Sequence, residues 1–349
     1  QRWPRFAQQY FWDDPARPEL GCFGTGYNSW GVQTNQKFVG AMCVLAMAPE
    51  LDEAAAGIGR EEISDLALRG LRYSLASHVS GDHHCSDGTQ WGHTWISGLG
   101  VERMLHGTSA MKERLTEADQ AGLRRMLCSE ADWLLDYEIQ GTLWARDGGN
   151  KPESNIWNGA ICCRAALLYP DEAHAADWLE KAHCFFINGI SLPADAQDET
   201  VVAGKPVRER HVGPNFFPHY ALDHHGYLNV GYMVICLSNI AMLHYGLLAE
   251  GLTAPDSLTW HARGLWELVR QLTFDNGRLL RMGGDSRQRY CYCQDYLLPT
   301  LWYCAEAFGD ERAAHLEAQA LELIRREQAF NGDGSFLSKR LHRIREENP

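Results

Sequence analysis

At 349 residues, with 45% hydrophobic and 22% charged side chains, the chain has an ordinary globular composition, and one repetitive helical unit reaches this size as readily as two smaller domains. A net charge of −13 sets it against nucleic acid and against an anionic membrane surface as partners. Its 11 cysteines are odd in number and mostly sit inside apolar helical patterns, which reads as reduced, buried thiols and favours a cytoplasmic location.

The chain opens on Gln1, so a removed leader, and with it a periplasmic or secreted location, stays open. There is no Asn-x-Ser/Thr sequon and no apolar run long enough to span a bilayer without polar interruption. The 12 Trp and 13 Tyr exceed what a plain core requires, and aromatic rings suit the apolar C–H faces of sugars.

Apolar residues at helical spacing predict about ten helices and almost no strand. They cover residues 35–48, 60–79, 92–107, 116–138, 154–168, 172–189, 227–250, 256–274, 292–308 and 310–329. Thr116 with Asp119 forms a capping-box pattern, and Asp171 and Asp256, each after a proline, mark two further starts. The even-numbered helices are charged and amphipathic; the odd-numbered ones, such as KFVGAMCVLAMA, are almost uncharged. An inner ring of apolar helices wrapped by an outer ring of amphipathic ones satisfies both patterns. The expectation is an all-α fold, an incomplete (α/α) toroid of five to six hairpins, over residues 35–349, with residues 1–34 as an arm on its active rim.

The predicted loops after the even helices are long, and in an up-down helical series they share one end. The arm brings Trp30; the loop at 80–91 and the helix start after it bring His84, Trp91 and His93; the loop at 139–153 brings Trp144. Asn155 and Asn158 open the fifth helix. The loop at 190–226 adds Arg208, Arg210 and His219, and the loop at 275–291 adds Arg287 and Arg289. The densest window is PNFFPHYALDHHGYLNVGY, residues 214–232, with His219, His224, His225, Tyr227 and Tyr232 in proton-transfer chemistry's residue types.

SNIWNGAICCRAALLYP resembles the inner helix of the toroidal polysaccharide lyases, the chondroitin AC, hyaluronate, alginate and heparinase II/III-like group, in which an Asn near a Trp begins the helix. LDHHGYLNVGY resembles their later segment with a His followed by a Tyr in a Gly-Tyr context, and GGDSRQRY stands where they carry an Arg-bearing loop. The resemblance covers roughly residues 155–295. The family's Asp-Gly-Ser/Thr-x-x-Gln-His string is absent, the step from His225 to Tyr232 is shorter than theirs, and their C-terminal β-sandwich has no counterpart in this sequence.

The resemblance implies β-elimination of a uronic-acid-containing glycan. Asn155 or Asn158, with Arg287, would hold the substrate carboxylate and stabilise the enolate-like intermediate; His225 or a tyrosinate would take the C5 proton, and Tyr232 or Tyr227 would protonate the leaving oxygen. Trp30, His84, Trp91, His93, Trp144, Asn158, Arg208, Arg210, His219, His224 and Arg289 would bind the acidic oligo- or polysaccharide. The alternatives are a glycoside hydrolase resembling unsaturated glucuronyl hydrolases, using carboxylates among Asp87, Asp147, Asp223 and Asp285, and a non-catalytic glycan-binding module. The triplet DHH occurs twice, at residues 82–84 and 223–225. Adjacent ligands diverge, however, and neither CxxC nor HExxH is present, so zinc or calcium is not favoured and no cofactor is expected.

Overall fold

The computed structural model describes residues 1–143, 150–282, 287–336 and Lys339, with backbone only for Arg287 and Gln288. The protein is all-α: 61% helix against 6% strand. In chain order the helices are α1 (Trp3–Ala7), α2 (Trp30–Met47), α3 (Glu53–Ala56), α4 (Arg60–Ala76), α5 (Ser97–Ala110), α6 (Glu117–Asp136), α7 (Pro152–Leu168) and α8 (Ala175–Ile187). They continue with α9 (Val207–Arg210), α10 (Val230–Ala249), α11 (Ala262–Gln271), α12 (Arg287–Gln294), α13 (Leu297–Phe308) and α14 (Glu311–Asn331). Among the described residues, three two-stranded antiparallel ribbons interrupt them: β1 (Phe11–Asp13) with β2 (Gly21–Phe23), β3 (Val201–Val202) with β4 (Lys205–Pro206), and β5 (Asp223–His224) with β6 (Tyr227–Leu228).

Every predicted helix has a counterpart, and the departures have local causes. The first begins at Trp30 rather than residue 35, because Ser29 at φ 63° turns the chain directly into it. The second-to-last splits into α12 and α13. Thr116 and Asp119 do form a reciprocal capping box. Asp171 does not start a helix: residues 169–175 make successive one-turn bonds, Glu172 N–H to Tyr169 O and Ala175 N–H to Glu172 O, before α8 begins. Asp256 opens a short 3-10 turn, and α11 follows only after His261 at φ 58°. Residues 227–229 are strand β6 and its exit rather than helix.

The chain sorts into two compact units. The first comprises residues 1–137, 160–182 and 246–252, and the second residues 138–159, 183–245 and 253–349. In the first, α2 packs between α4 and α5. Gly40 and Gly107 let α2 and α5 approach closely, since a Cβ on Gly40 would lie 2.2 Å from Arg103 O and one on Gly107 2.4 Å from Gly40 O. Residues 1–34 pack onto this same core: Phe23 stacks on Phe38 at 4.6 Å, and Leu20 and Cys22 cluster with Tyr73 and Ala76. The first-unit core also holds one fully buried ion pair, with Arg164 Nε 2.6 Å from Glu102 Oε1.

In the second unit the core gathers Phe185, Ile235, Leu243, Leu265, Trp266 and Leu301. Against the expectation of no spanning run, the helix α10 is long and apolar enough to cross a membrane by length and composition; 67% of its most apolar window is buried, as in a core helix.

Candidate functional site

The β5–β6 hairpin gathers a cluster of titratable groups in the second unit. Asp223 pairs with Leu228 and His224 with Tyr227, leaving His225 and Gly226 as a two-residue loop. Both have positive φ, 60° and 83°, as a type I′ turn requires. Gly226 adopts this at no steric cost; His225 is held there by the ribbon and is exposed to solvent. Directly after the ribbon, Asn229 caps α10, its Oδ1 accepting the N–H of Tyr232 at 3.1 Å while its Nδ2 donates to His224 O at 3.2 Å. One asparagine therefore fixes the tyrosine relative to the histidines. The result is a hydrogen bond of 3.3 Å between His225 Nε2 and Tyr232 Oη, with the His224 ring centroid 4.3 Å from that of Tyr232.

His224 is buried and its tautomer follows from its partners. Asn150 donates from Nδ2 to Asp223 O at 2.6 Å, so its Oδ1 is the acceptor that faces His224 Nδ1 at 2.7 Å. The proton of His224 is on Nδ1, and Nε2 presents a lone pair, 4.0 Å from Glu153 Oε1. Burial, reinforced by the positive charges of His225, Lys151 and Arg289, lowers the His224 pKa to about 3. Glu153, in the first turn of α7, is buried; Ser154 Oγ lies 3.2 Å from its Oε1, and its Oε2 has no partner. Burial raises its carboxyl to about 7. The Tyr232 phenol is pushed well above its ordinary range, first by burial and then by Glu153, with Arg289 pulling weakly the other way. Arg289 donates from Nη1 to Tyr227 Oη at 3.3 Å. His224, His225, Tyr227, Tyr232 and Arg289, five residues expected from the sequence, thus come together.

Other expected residues are spent on structure. Both N–H groups of the Asn155 amide are taken, by Gln140 O at 2.8 Å and Asn188 O at 2.7 Å, in a bracket shared with Asn215. That bracket leaves Asn155 no donor for a substrate carboxylate. Arg210 is buried and pins the β3–β4 turn through Val202 O and Ala203 O, and Arg208 is paired with Glu199 at 2.7 Å. Asn158, by contrast, is buried with neither amide atom bonded within the protein.

His219 is exposed and stacks on Phe217 at 6.1 Å, and the two border a cavity of about 350 Å³ with Leu222, Asp223 and Leu228. Trp30, His84, Trp91 and His93 belong to the first unit. Trp30 and His84 are exposed there, whereas Trp91 is buried with its indole N–H on Ser74 O at 2.8 Å. Trp144, Asp147, Asp285 and the side chain of Arg287 lie outside the described residues.

Two members escaped the sequence reading. Glu153 looks like an ordinary first-turn acid, and Asn150 like a loop residue. The only signal was their place directly before SNIWN. Against known proteins, no protein-family model matches the chain, and neither the curated proteins nor the solved structures contain a match.

Proposed function

We propose that the protein is a carbohydrate-active lyase that cleaves a uronic-acid-containing glycan by β-elimination, with the β5–β6 hairpin and the start of α10 as its acid-base centre. The observation that carries this is the hydrogen-bonded pair of an exposed imidazole, His225, and a half-buried phenol, Tyr232. Elimination needs a base for the C5 proton and an acid for the leaving glycosidic oxygen.

His225 is the base. Tyr232, whose burial keeps it protonated, is the acid, so the tyrosinate alternative drops out of the assignment. At 3.3 Å the two can exchange the proton once the product leaves, which returns both to their starting states. Arg289, beside Tyr227, supplies the positive charge that draws an acidic sugar, and Phe217 with His219 offers a ring face for the neighbouring residue of the glycan. Hydrolysis is supported less well. The Asp87 carboxylate is held below its usual range by Asn28 and Thr89 and so stays ionised, and Glu153 is too deeply buried to meet a glycosidic oxygen.

The test is a panel of uronate-containing glycans followed for ultraviolet-absorbing unsaturated ends and for water uptake. Unsaturated product from at least one glycan is expected; new reducing ends without unsaturation would overturn the lyase assignment in favour of a hydrolase.

A further inference from the structure

The loop between α4 and α5, with its GDHH and GTQWGHTW stretches, takes no part in the centre described above, yet it assembles a second cluster with α6 in the first unit. His78 and Glu130 are fully buried, with His78 Nε2 2.8 Å from Glu130 Oε1. The same oxygen accepts the backbone N–H of His93 at 2.7 Å. One nitrogen of each histidine and one carboxylate oxygen lie within 4.8 Å of one another.

We propose that His78, His93 and Glu130 form a binding site for a divalent first-row transition ion of the zinc type. Bonds of about 2.0–2.2 Å to three ligands put donor atoms roughly 3–4 Å apart, inside the 4.8 Å span of this set. Two imidazoles with one carboxylate suit zinc and its neighbours and disfavour calcium or magnesium, which take oxygen ligands.

Each ligand has the outer partner such a site requires. Ser80 Oγ lies 2.7 Å from His78 Nδ1, and the Ser80 N–H 3.1 Å from it. With the proton on Nε2, Nδ1 accepts from the Ser80 N–H. With the ion on Nε2, the imidazole proton would sit on Nδ1, where Ser80 Oγ accepts it in place of the contact with the Ser80 N–H.

His93 Nε2 sits 2.9 Å from Ser129 Oγ and 3.2 Å from Ser129 O. Donation to that carbonyl leaves Nδ1 as the lone pair for the ion. The His93 ring is stacked on Trp133 at 6.0 Å and 5°, which fixes its plane. The backbone is strained to deliver it, with Gly92 at φ 122° and His93 at φ 50°. A Cβ on residue 92 would lie 2.5 Å from His78 Nε2 and 2.9 Å from Glu130 Oε1, so glycine keeps the space over the pair clear. His93 is half-buried, whereas His78 and Glu130 are fully buried.

The experiment uses the full chain, dialysed against a chelator and titrated calorimetrically with zinc sulfate, then with cobalt(II) followed by its visible absorption and by quenching of Trp133. One equivalent is expected. His93→Asn, which tolerates the positive φ, should weaken binding by about a hundredfold or more, and Ser80→Ala by about 10–100-fold, with unchanged circular dichroism. Glu130→Gln should also abolish binding; if its burial prevents folding, the His93 and Ser80 variants decide. Absence of saturable binding, or binding of equal strength in His93→Asn, would overturn the proposal.

Discussion

Each unit buries a histidine beside a glutamate, and the two pairs are built to opposite ends. In the first, His78 and Glu130 are in hydrogen-bond contact at 2.8 Å, and the carboxylate also takes a backbone N–H. In the second, His224 and Glu153 stand 4.0 Å apart, the histidine is tied to Asn150 instead, and one carboxylate oxygen has no partner. A carboxylate with its donors in place can stay ionised in the interior; one without them moves toward the protonated form. The first carboxylate is held by two donors, and the second is raised to about 7 by burial.

The sharpest way to break this contrast is to remove both glutamates. Glu130→Ala strips the acceptor from the buried His78 imidazole and the half-buried His93 N–H and leaves a cavity, so unfolding free energy should fall by about 3–5 kcal/mol in denaturant titrations. A loss below about 1 kcal/mol would mean that the two hydrogen bonds to Glu130 hold nothing in place.

Glu153→Gln should act in the other direction. The folded-state pKa of Glu153, about 7, lies above its ordinary 4.5, so the native protein binds the extra proton between those values and loses stability as pH rises through them. Glutamine removes that loss, and the variant should gain on the order of 2 kcal/mol relative to the parent between pH 5 and pH 7. A gap that does not grow with pH would show that Glu153 is ionised in place.

His224 has the reverse sign. Its pKa of about 3 lies below the ordinary 6.5, so the unfolded chain binds the extra proton in that interval and stability falls as pH drops below about 6.5. His224→Asn should flatten the acid limb by roughly 1 kcal/mol per pH unit, measured by thermal unfolding at a series of pH values. The smallest effect belongs to a feature outside both pairs: Thr116→Ala removes the α6 cap and should cost about 1 kcal/mol at any of these pH values.

The sequence made the helices legible because most carry their own signals. The amphipathic face of α4, the capping box of α6 and the apolar run of α10 are local patterns and needed no tertiary knowledge. Ser29, His225 and His261 were not legible, since non-glycine residues at positive φ are set by what surrounds them. The same limit applied to the site. A clustered window such as residues 214–232 announces its own histidines and tyrosines. Whether an amide is free, as in Asn158, or consumed by carbonyls, as in Asn155, depends on chain segments tens of residues away. Glu153 was hidden for the same reason: burial raises its carboxyl, and burial is a property of the fold.

The proposed elimination rests on His225 as base and Tyr232 as acid, 3.3 Å apart. The most direct measurement is the rate of unsaturated-product formation by Tyr232→Phe on a uronate-containing glycan that the parent cleaves. The expected result is a fall in kcat of about 10²–10⁴-fold with KM little changed, because the phenyl ring keeps its packing against His224 and loses only the transferable proton. Turnover equal to that of the parent would contradict the account.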